Sequence, residues 1–412
     1  MDDTELFTKL LGITAPWYVT RVSVNVPAER IDVWVEEAPG TRFPCATCTT
    51  LAPVYDHTVE QVWRHLDTCQ CQTYLHTRLP RTTCPVDGVK QISAPWAEAR
   101  SQYTRLLETR LIDTLKECDV TGVTRLLGAS WDELWGVMAR AVARGLARKP
   151  HRVPARIGVD EKAVGKGQDY ESLVCNLDTG TVEYVVDDRT QASLEAYYRQ
   201  FTPEELAGIE AIAMDMWEPY IKATHVCVPE AATKIVFDRY HATTQVTKAV
   251  DQVRRREHKE LAAQDDLRLK GTKYLWLRNE ENVPEWRRAE FAAVKHAKLQ
   301  TSRAWAIKEA LRDFWNYVYP TCAAKYFTAW YFWATHSRLQ PIIAAAKTLK
   351  RHLANIMTYF IHRITNAMSE GINSKIQTLK LMACGYRNRA HYKTAIYFHC
   401  GGLDLYPRAE TA

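Results

Sequence analysis

IGVDEKAVGKGQDYESLVCNLDTGTVEYVVDD, residues 157–188, alternates apolar and polar side chains and carries a turn at Asp178-Thr179-Gly180. A period of two marks strands half-buried in a sheet, because successive side chains point to opposite faces. The stretch divides into three consecutive strands, IGVDEKAVG, ESLVCNL and TVEYVVDD, the last two joined by that turn. A helix over Gln191–Tyr198 follows, then a buried strand within IEAIAMDM (209–216), a further helix, and another strand within TKIVFDRY (233–240).

Three antiparallel strands followed by alternating helices and strands are the order of an α/β ribonuclease H-like domain, whose parallel strands end side by side. Asp160 lies inside the first strand and Asp215 ends the later one. In the expected sheet these strands are neighbours, so two carboxylates stand together. Buried acids repel and cost stability unless a cation neutralises them. An open site with oxygen ligands suits Mg²⁺ or Mn²⁺. Taken singly, Asp160 also fits a strand-end turn and Asp215 a helix N-cap ahead of Trp217-Glu218-Pro219.

A third carboxylate comes from HRITNAMSEGINSKIQTLK, His362 to Lys380, which has the spacing of one long amphipathic helix. His362, Asn366, Glu370, Asn373, Gln377 and Lys380 form one stripe, opposite Ile361, Ile364, Met368, Ile372, Ile376 and Leu379. Amides around a single carboxylate are not an ordinary solvated face. Glu370 is the candidate third ligand of a two-metal phosphodiester site, with Asn366, Asn373 and Lys380 orienting phosphate oxygens. His241, in IVFDRYH, either lines that site or packs at the strand end.

Outward from this core, 153–242 forms the first part of the catalytic domain, 243–351 a basic helical insertion rich in Trp and Tyr, and 352–412 its C-terminal helices. The insertion's aromatic rings either stack on unpaired bases or fill its own core. Upstream, residues 95–152 read as helix, short helix, tight turn and basic helix, the helix-turn-helix order. Ser130 with Glu133 forms a capping box opening the third helix. That helix buries Leu134, Val137, Met138 and Ala141, while Arg140, Arg144 and Arg148 recur every fourth residue as candidate DNA-binding side chains. The formal net charge is +6, and between Ala99 and Arg156 eleven Lys or Arg face six Asp or Glu, the local excess a phosphate backbone would attract.

Residues 1–94 carry a strand pair, WYVTRVSVNVPAERIDVWVEE, and five of the chain's eleven cysteines. Cys45 and Cys48 form a C-x2-C knuckle, and Cys84 opens a second turn in which Asp87 holds the place of the fourth ligand. Cys69, Cys71, His57 and His65 are the other candidates for that place. A structural Zn²⁺ in a ribbon is expected. No apolar run approaches the ~20 residues that span a bilayer, and no signal peptide is evident, so no membrane partner and a cytoplasmic protein, on the nucleoid when bound to DNA, are expected.

RHLD (64–67) and RTTCPVDGV (81–89) resemble the zinc-finger region of the ISL3 family of bacterial insertion-sequence DDE transposases. IGVDEKA, IVFDRYH and NAMSEGINSKIQTLKLMACGYRNRAHYKTAIYFHCGGL resemble its catalytic domain. The resemblance implies Asp160, Asp215 and Glu370 as the acidic triad, a ribonuclease H-like fold and an all-helical insertion between the second and third acids. The chain departs from the family pattern at Asp87, where His or Cys is common, and at Leu381-Met382, where a basic residue before Met is expected.

The resulting expectation is a DNA transposase that binds the terminal inverted repeats of its element and catalyses metal-dependent strand cleavage and strand transfer. Asp160, Asp215 and Glu370 hold two Mg²⁺ or Mn²⁺; Asn373 and Lys380 position DNA. Its partners are duplex ends, target DNA and a second copy of the chain, as a dimer or higher assembly. The rival readings are a DNA-binding regulator with an inactive core and a structure-selective nuclease without strand transfer.

Overall fold

The strand bearing Asp160 is the middle one of a five-stranded mixed sheet. The computed structural model describes residues 2–165, 170–365 and 367–408. It divides the chain into two units, Met1–Lys149 with Met382–Ala412, and Pro150–Leu381.

In the second unit the sheet runs β11-β10-β9-β12-β13, from β9 (Arg156–Ala163), β10 (Tyr170–Asn176), β11 (Thr181–Asp187), β12 (Ala211–Met214) and β13 (Ile235–Phe237). β9, β10 and β11 pair antiparallel, and β12 is parallel to both β9 and β13. The sheet's two faces differ in side-chain size. Ile157, Val159, Ile212, Met214, Ile235 and Phe237 join the main core with α5 (Gln191–Tyr198), α7 (Glu218–Cys227) and the long α9 (Arg239–Ala262). Each of these large side chains contributes about 1.5–3 kcal/mol on burial. The opposite face is built from Ala211, Ala213 and Val236 packed with Ile364. By alternation Asp160 and Asp215 fall on this small-residue face, which gives a helix room to approach the carboxylates. Two short helices, α6 (Pro203–Ala207) and α8 (Ala231–Lys234), complete the connections.

After α9 the described residues up to Arg351 are helical or irregular. They hold α10 (Lys273–Leu277), α11 (Arg288–Lys295), α12 (Gln300–Phe314), α13 (Pro320–Thr335) and α14 (Gln340–Arg351). Trp276, Trp305, Trp315 and Trp330 are buried in its core, whereas Trp286, Trp333 and Tyr274 are exposed. α15 (Leu353–Met357) and α16 (Tyr359–His362) follow. The single helix expected from His362 onward is broken: Arg363 adopts φ 54° and caps α16, and α17 begins afresh at Ala367 and ends at Met382. His362 leaves the polar stripe and bonds the Thr233 carbonyl through Nε2 at 2.8 Å. Asn366 lies outside the described residues.

The first unit contains α1 (Asp3–Leu10) and two four-stranded sheets. One is ordered β1-β2-β6-β5 and the other β3-β4-β7-β8, from β1 (Trp17–Asn25), β2 (Arg30–Glu37), β3 (Arg42–Pro44), β4 (Leu51–His57), β5 (Gln61–Arg64), β6 (Gln72–Thr77), β7 (Pro80–Cys84) and β8 (Gly88–Gln91). β1 and β2 are the expected hairpin. Three helices follow: α2 (Arg105–Glu117), α3 (Val120–Leu127) and α4 (Trp131–Arg148). Thr104 and Asp119 cap the first two, Gly128 ends α3 at φ 59°, and Ser130 and Glu133 close the expected capping box of α4.

The residues of the expected last domain, 352–412, divide between the two units. Residues 382–408 belong with this first unit, not with the sheet of the second. α18 (Arg389–Cys400) and the segment after it put Ala395, Phe398 and Leu405 into the same core as Leu111, Ile112, Leu134 and Met138. The His391 ring stacks on Trp135 at 4.2 Å. Gly145 permits this closure, because a Cβ there would sit 2.7 Å from the Leu403 Cβ.

Candidate functional site

Parallel pairing of β9 with β12 runs through Gly158 opposite Ala213, so two residues on Asp160 and Asp215 come level. β13 adds a third acid in the same way. Asp238 bonds the Met214 carbonyl through its backbone N–H at 3.1 Å and accepts the N–H groups of Tyr240 and His241 at 2.6 and 3.3 Å, capping α9. Three neighbouring strands thus deliver three carboxylates to one sheet edge. Glu161 stands beside them.

Burial chiefly, with Asp215 and Asp238 adding like charge, pushes Asp160 up to about 6 against the opposing Glu161 N–H and His241. Burial also raises Asp215, opposed by His241, the Trp217 N–H and Arg189. It raises Glu161, with Asp215 and Asp160 reinforcing the shift. Asp215 Oδ1 is buried with no hydrogen-bond partner among the described residues. Crowded oxygens with an orphaned carboxylate oxygen fit a divalent cation with oxygen ligands.

α17 crosses beside Asp160. Asn373 Nδ2 donates to Asp160 Oδ2 at 2.6 Å, and Lys162 Nζ donates to the Asn373 carbonyl at 3.1 Å. Lys380 Nζ donates to the Ala163 carbonyl at 3.1 Å. Glu370 lies three residues before Asn373, about one helical turn away, and is exposed. Among the described residues, Asp160 and Asp215 are not joined by Glu370 into a set of ion-binding side chains; that description fits only the cysteine cluster below. At this point of α17 the neutral Asn373 amide, not the Glu370 carboxylate, meets Asp160, and an amide N–H is a donor suited to a carboxylate acceptor. His241 is placed in the first turn of α9, not at a strand end, and acts electrostatically on both Asp160 and Asp215.

Cys45, Cys48, Cys84 and Asp87 gather with their ligand atoms within 4.8 Å of one another. The Cys48 and Cys84 sulfurs are 3.3 Å apart, and Asp87 Oδ2 is 3.4 Å from Cys45 Sγ and 3.7 Å from Cys84 Sγ. Tetrahedral Zn–S bonds of 2.3 Å imply a sulfur–sulfur edge of about 3.8 Å, so the four donors fit zinc. The Asp87 carboxylate pushes the Cys48 thiol up to about 11; a cation at the centre would reverse that. Of the other candidates, His65 is turned away, its Nδ1 bonded to Thr104 Oγ1 at 2.8 Å, and His57 pairs with Glu37.

The arginines of α4 do not stand free for DNA. Arg140 pairs with buried Glu108 at 2.9 Å. Arg144 pairs with Glu98 and Glu108 and bonds the Leu405 carbonyl, and Arg148 bonds the Tyr406 carbonyl at 2.7 Å and pairs with Asp404. The stripe expected to meet phosphates ties α4 to α2 and to residues 404–406. Spacing alone could not separate these uses, because a solvent face and a face covered by distant sequence share the same period.

Three further residues escaped the sequence reading: Asp238, Glu161 and Arg189. Asp238 had a usable signal, since it follows an apolar strand in IVFD as Asp215 does in AIAMD. Arg189 had none, because its partners come from three separate segments.

Three family models match the chain. One described as a transposase covers residues 157–396, one described as the helix-turn-helix domain of transposase family ISL3 covers 92–142, and one described as the zinc finger of transposase IS204/IS1001/IS1096/IS1165 covers 41–87. The transposase for insertion sequence element IS1557 of Mycobacterium tuberculosis is 23% identical over 417 residues, covering 94% of this chain and 93% of that protein. The transposase for insertion sequence element IS1001 of Bordetella parapertussis is 25% identical over 344 residues, covering 82% and 84%.

Proposed function

The chain belongs to the ISL3 family of insertion-sequence transposases, and from that membership we propose that it cuts and joins DNA by DDE chemistry at the carboxylate cluster of β9, β12 and β13. It is a DNA-binding transposase; the metal dependence, the triad and the order of steps are the proposal. The sheet order β11-β10-β9-β12-β13, with its helical insertion, supports a ribonuclease H-like catalytic domain.

The observation that carries the reading is the paired burial of Asp160 and Asp215 with an unsatisfied Asp215 oxygen. Divalent cations bound there would polarise the scissile phosphodiester and acidify the attacking hydroxyl. Asp160 and Asp215 supply anionic oxygens from rigid strands, and Glu370 completes the set when α17 shifts or its side chain turns inward. Asn373 then exchanges Asp160 for a phosphate oxygen. Lys162 and Lys380, side by side near the Asn373 and Ala163 carbonyls, neutralise backbone phosphates. His241, which acts electrostatically on both acids, is placed to face the attacking group.

The substrate is duplex DNA ending in the inverted repeats of the element, with a homodimer bridging two ends. Zinc holds the ribbon. The deciding test incubates the full chain with a duplex carrying the inverted repeat that flanks its coding sequence. Cleavage that requires Mg²⁺ or Mn²⁺, followed by joining of the 3′ end to a second duplex, and loss of both in Asp215→Ala, supports the reading. Binding without cleavage by the unaltered protein refutes it.

A further inference from the structure

Arg189 sits in the loop between β11 and α5, yet its side chain reaches across the sheet edge to the carboxylates. Its guanidinium lies over the Tyr170 ring at 4.1 Å and over the Trp217 ring at 4.7 Å. Nη1 donates to Glu161 Oε1 at 3.1 Å, and the Trp217 indole N–H donates back to the Arg189 carbonyl at 3.1 Å. Three segments therefore fix one cation: the start of β10, the end of β9 and the loop two residues past Asp215.

An arginine held this way has already lost most of its rotamer freedom, so it can grip a ligand with little further ordering cost. Only Nη1 is committed to a side chain among the described residues. About a quarter of the side chain remains exposed, and the Nε–Nη2 edge is the pair of donors that the bond to Glu161 does not use. Planar paired N–H donors match the oxygens of a phosphate. A partly exposed Arg–Glu pair by itself adds little to stability, a small return for two aromatic rings and a shared loop.

We propose that Arg189 is a substrate-positioning residue whose free guanidinium edge binds a DNA phosphate next to the carboxylate cluster. This rests on the DNA-cleaving reading of that cluster and adds to it a residue the acidic triad does not include. Glu161, Tyr170 and Trp217 aim the guanidinium; the phosphate is one near the bond to be cut. The contact orders the backbone against the acids before reaction.

The test uses the full chain, its Arg189→Gln and Arg189→Lys variants, and the inverted-repeat duplex, unmodified and with single neutral methylphosphonates near the cleavage point. The expected result is that Arg189→Gln lowers the salt-dependence slope of binding by about one phosphate's worth, ~0.9, and cuts single-turnover cleavage about 10–100-fold. One methylphosphonate position should weaken the unaltered protein and leave Arg189→Gln no weaker than before. Arg189→Lys should keep the slope but not the rate. If Arg189→Gln melts early, the methylphosphonate scan is read from Arg189→Lys, whose penalty at that position should be smaller than the unaltered protein's. An unchanged slope, with every methylphosphonate costing variants and unaltered protein alike, overturns the inference. Mg²⁺-dependent cleavage by the unaltered protein tests the parent reading separately.

Discussion

Asn373 donates its side-chain amide to Asp160 at 2.6 Å across 213 positions of chain. That bond ties α17 to β9 and holds the Asp160 carboxylate with a neutral donor. In Asn373→Asp a further acid replaces the donor. The metal-free protein should melt earlier than the unaltered one, and added Mn²⁺ should restore it by more degrees than it stabilises the unaltered protein. Equal melting temperatures without metal would show that the amide does no electrostatic duty.

The proton on Asp160 predicts a pH dependence. Its ordinary value is 3.8 and the fold raises it to about 6, so between these values the folded chain binds more protons than the unfolded one. Stability therefore falls as pH rises through this window, and the penalty is complete above it, on the order of 3 kcal/mol. The raised Asp215 and Glu161 act in the same direction. Urea denaturation of zinc-loaded, magnesium-free protein at pH 4.5 and pH 7 should show the unaltered chain losing more stability than Asp160→Asn over that interval.

Cys84→Ser should release zinc, measured as metal per chain, and loosen the β3-β4-β7-β8 sheet, because a structural zinc supplies folding free energy outright. Asp87→Cys should hold the ion longer against a competing chelator. If neither substitution changes zinc retention, the four side chains are not its ligands.

Glu108 is almost wholly buried between Arg140 and Arg144. Glu108→Gln leaves those cations short of a counter-charge and should cost about 3–5 kcal/mol in denaturation. Arg125→Ala, on the exposed face of α3, should leave stability within ~0.5 kcal/mol. Comparable losses in both would mean that the buried ion triad is not special.

Gly145→Ala improves helix propensity by ~1 kcal/mol, yet its Cβ would meet Leu403 at 2.7 Å. Net destabilisation, with residues 401–408 becoming sensitive to protease, is the expected outcome. A stabilised, protease-resistant variant would show that the closure tolerates a methyl group.

The sheet was legible because periodicity, strand order and turn chemistry agreed in residues 157–240. The zinc knuckles were legible because metal geometry demands close spacing in sequence. Asp160 and Asp215 followed from parallel strands ending together, and by the same logic Asp238 was within reach. The fate of the α4 arginines was not, since their partners at Glu98, Glu108 and 404–406 become visible only once the chain has folded back. Nor was the break at Arg363, where a left-handed residue interrupts an unbroken amphipathic pattern.

The fold-back of residues 382–408 onto α4 also sets a timetable. A ribosome delivers the three-helix head first and must then thread all of residues 150–381 before the covering strap emerges, a delay of tens of seconds at ~5–20 residues per second. Until then the head lacks Phe398 and Leu405 from its core and carbonyl partners for Arg144 and Arg148. Nascent and prematurely ended chains thus carry a three-helix head whose core is still open on one side.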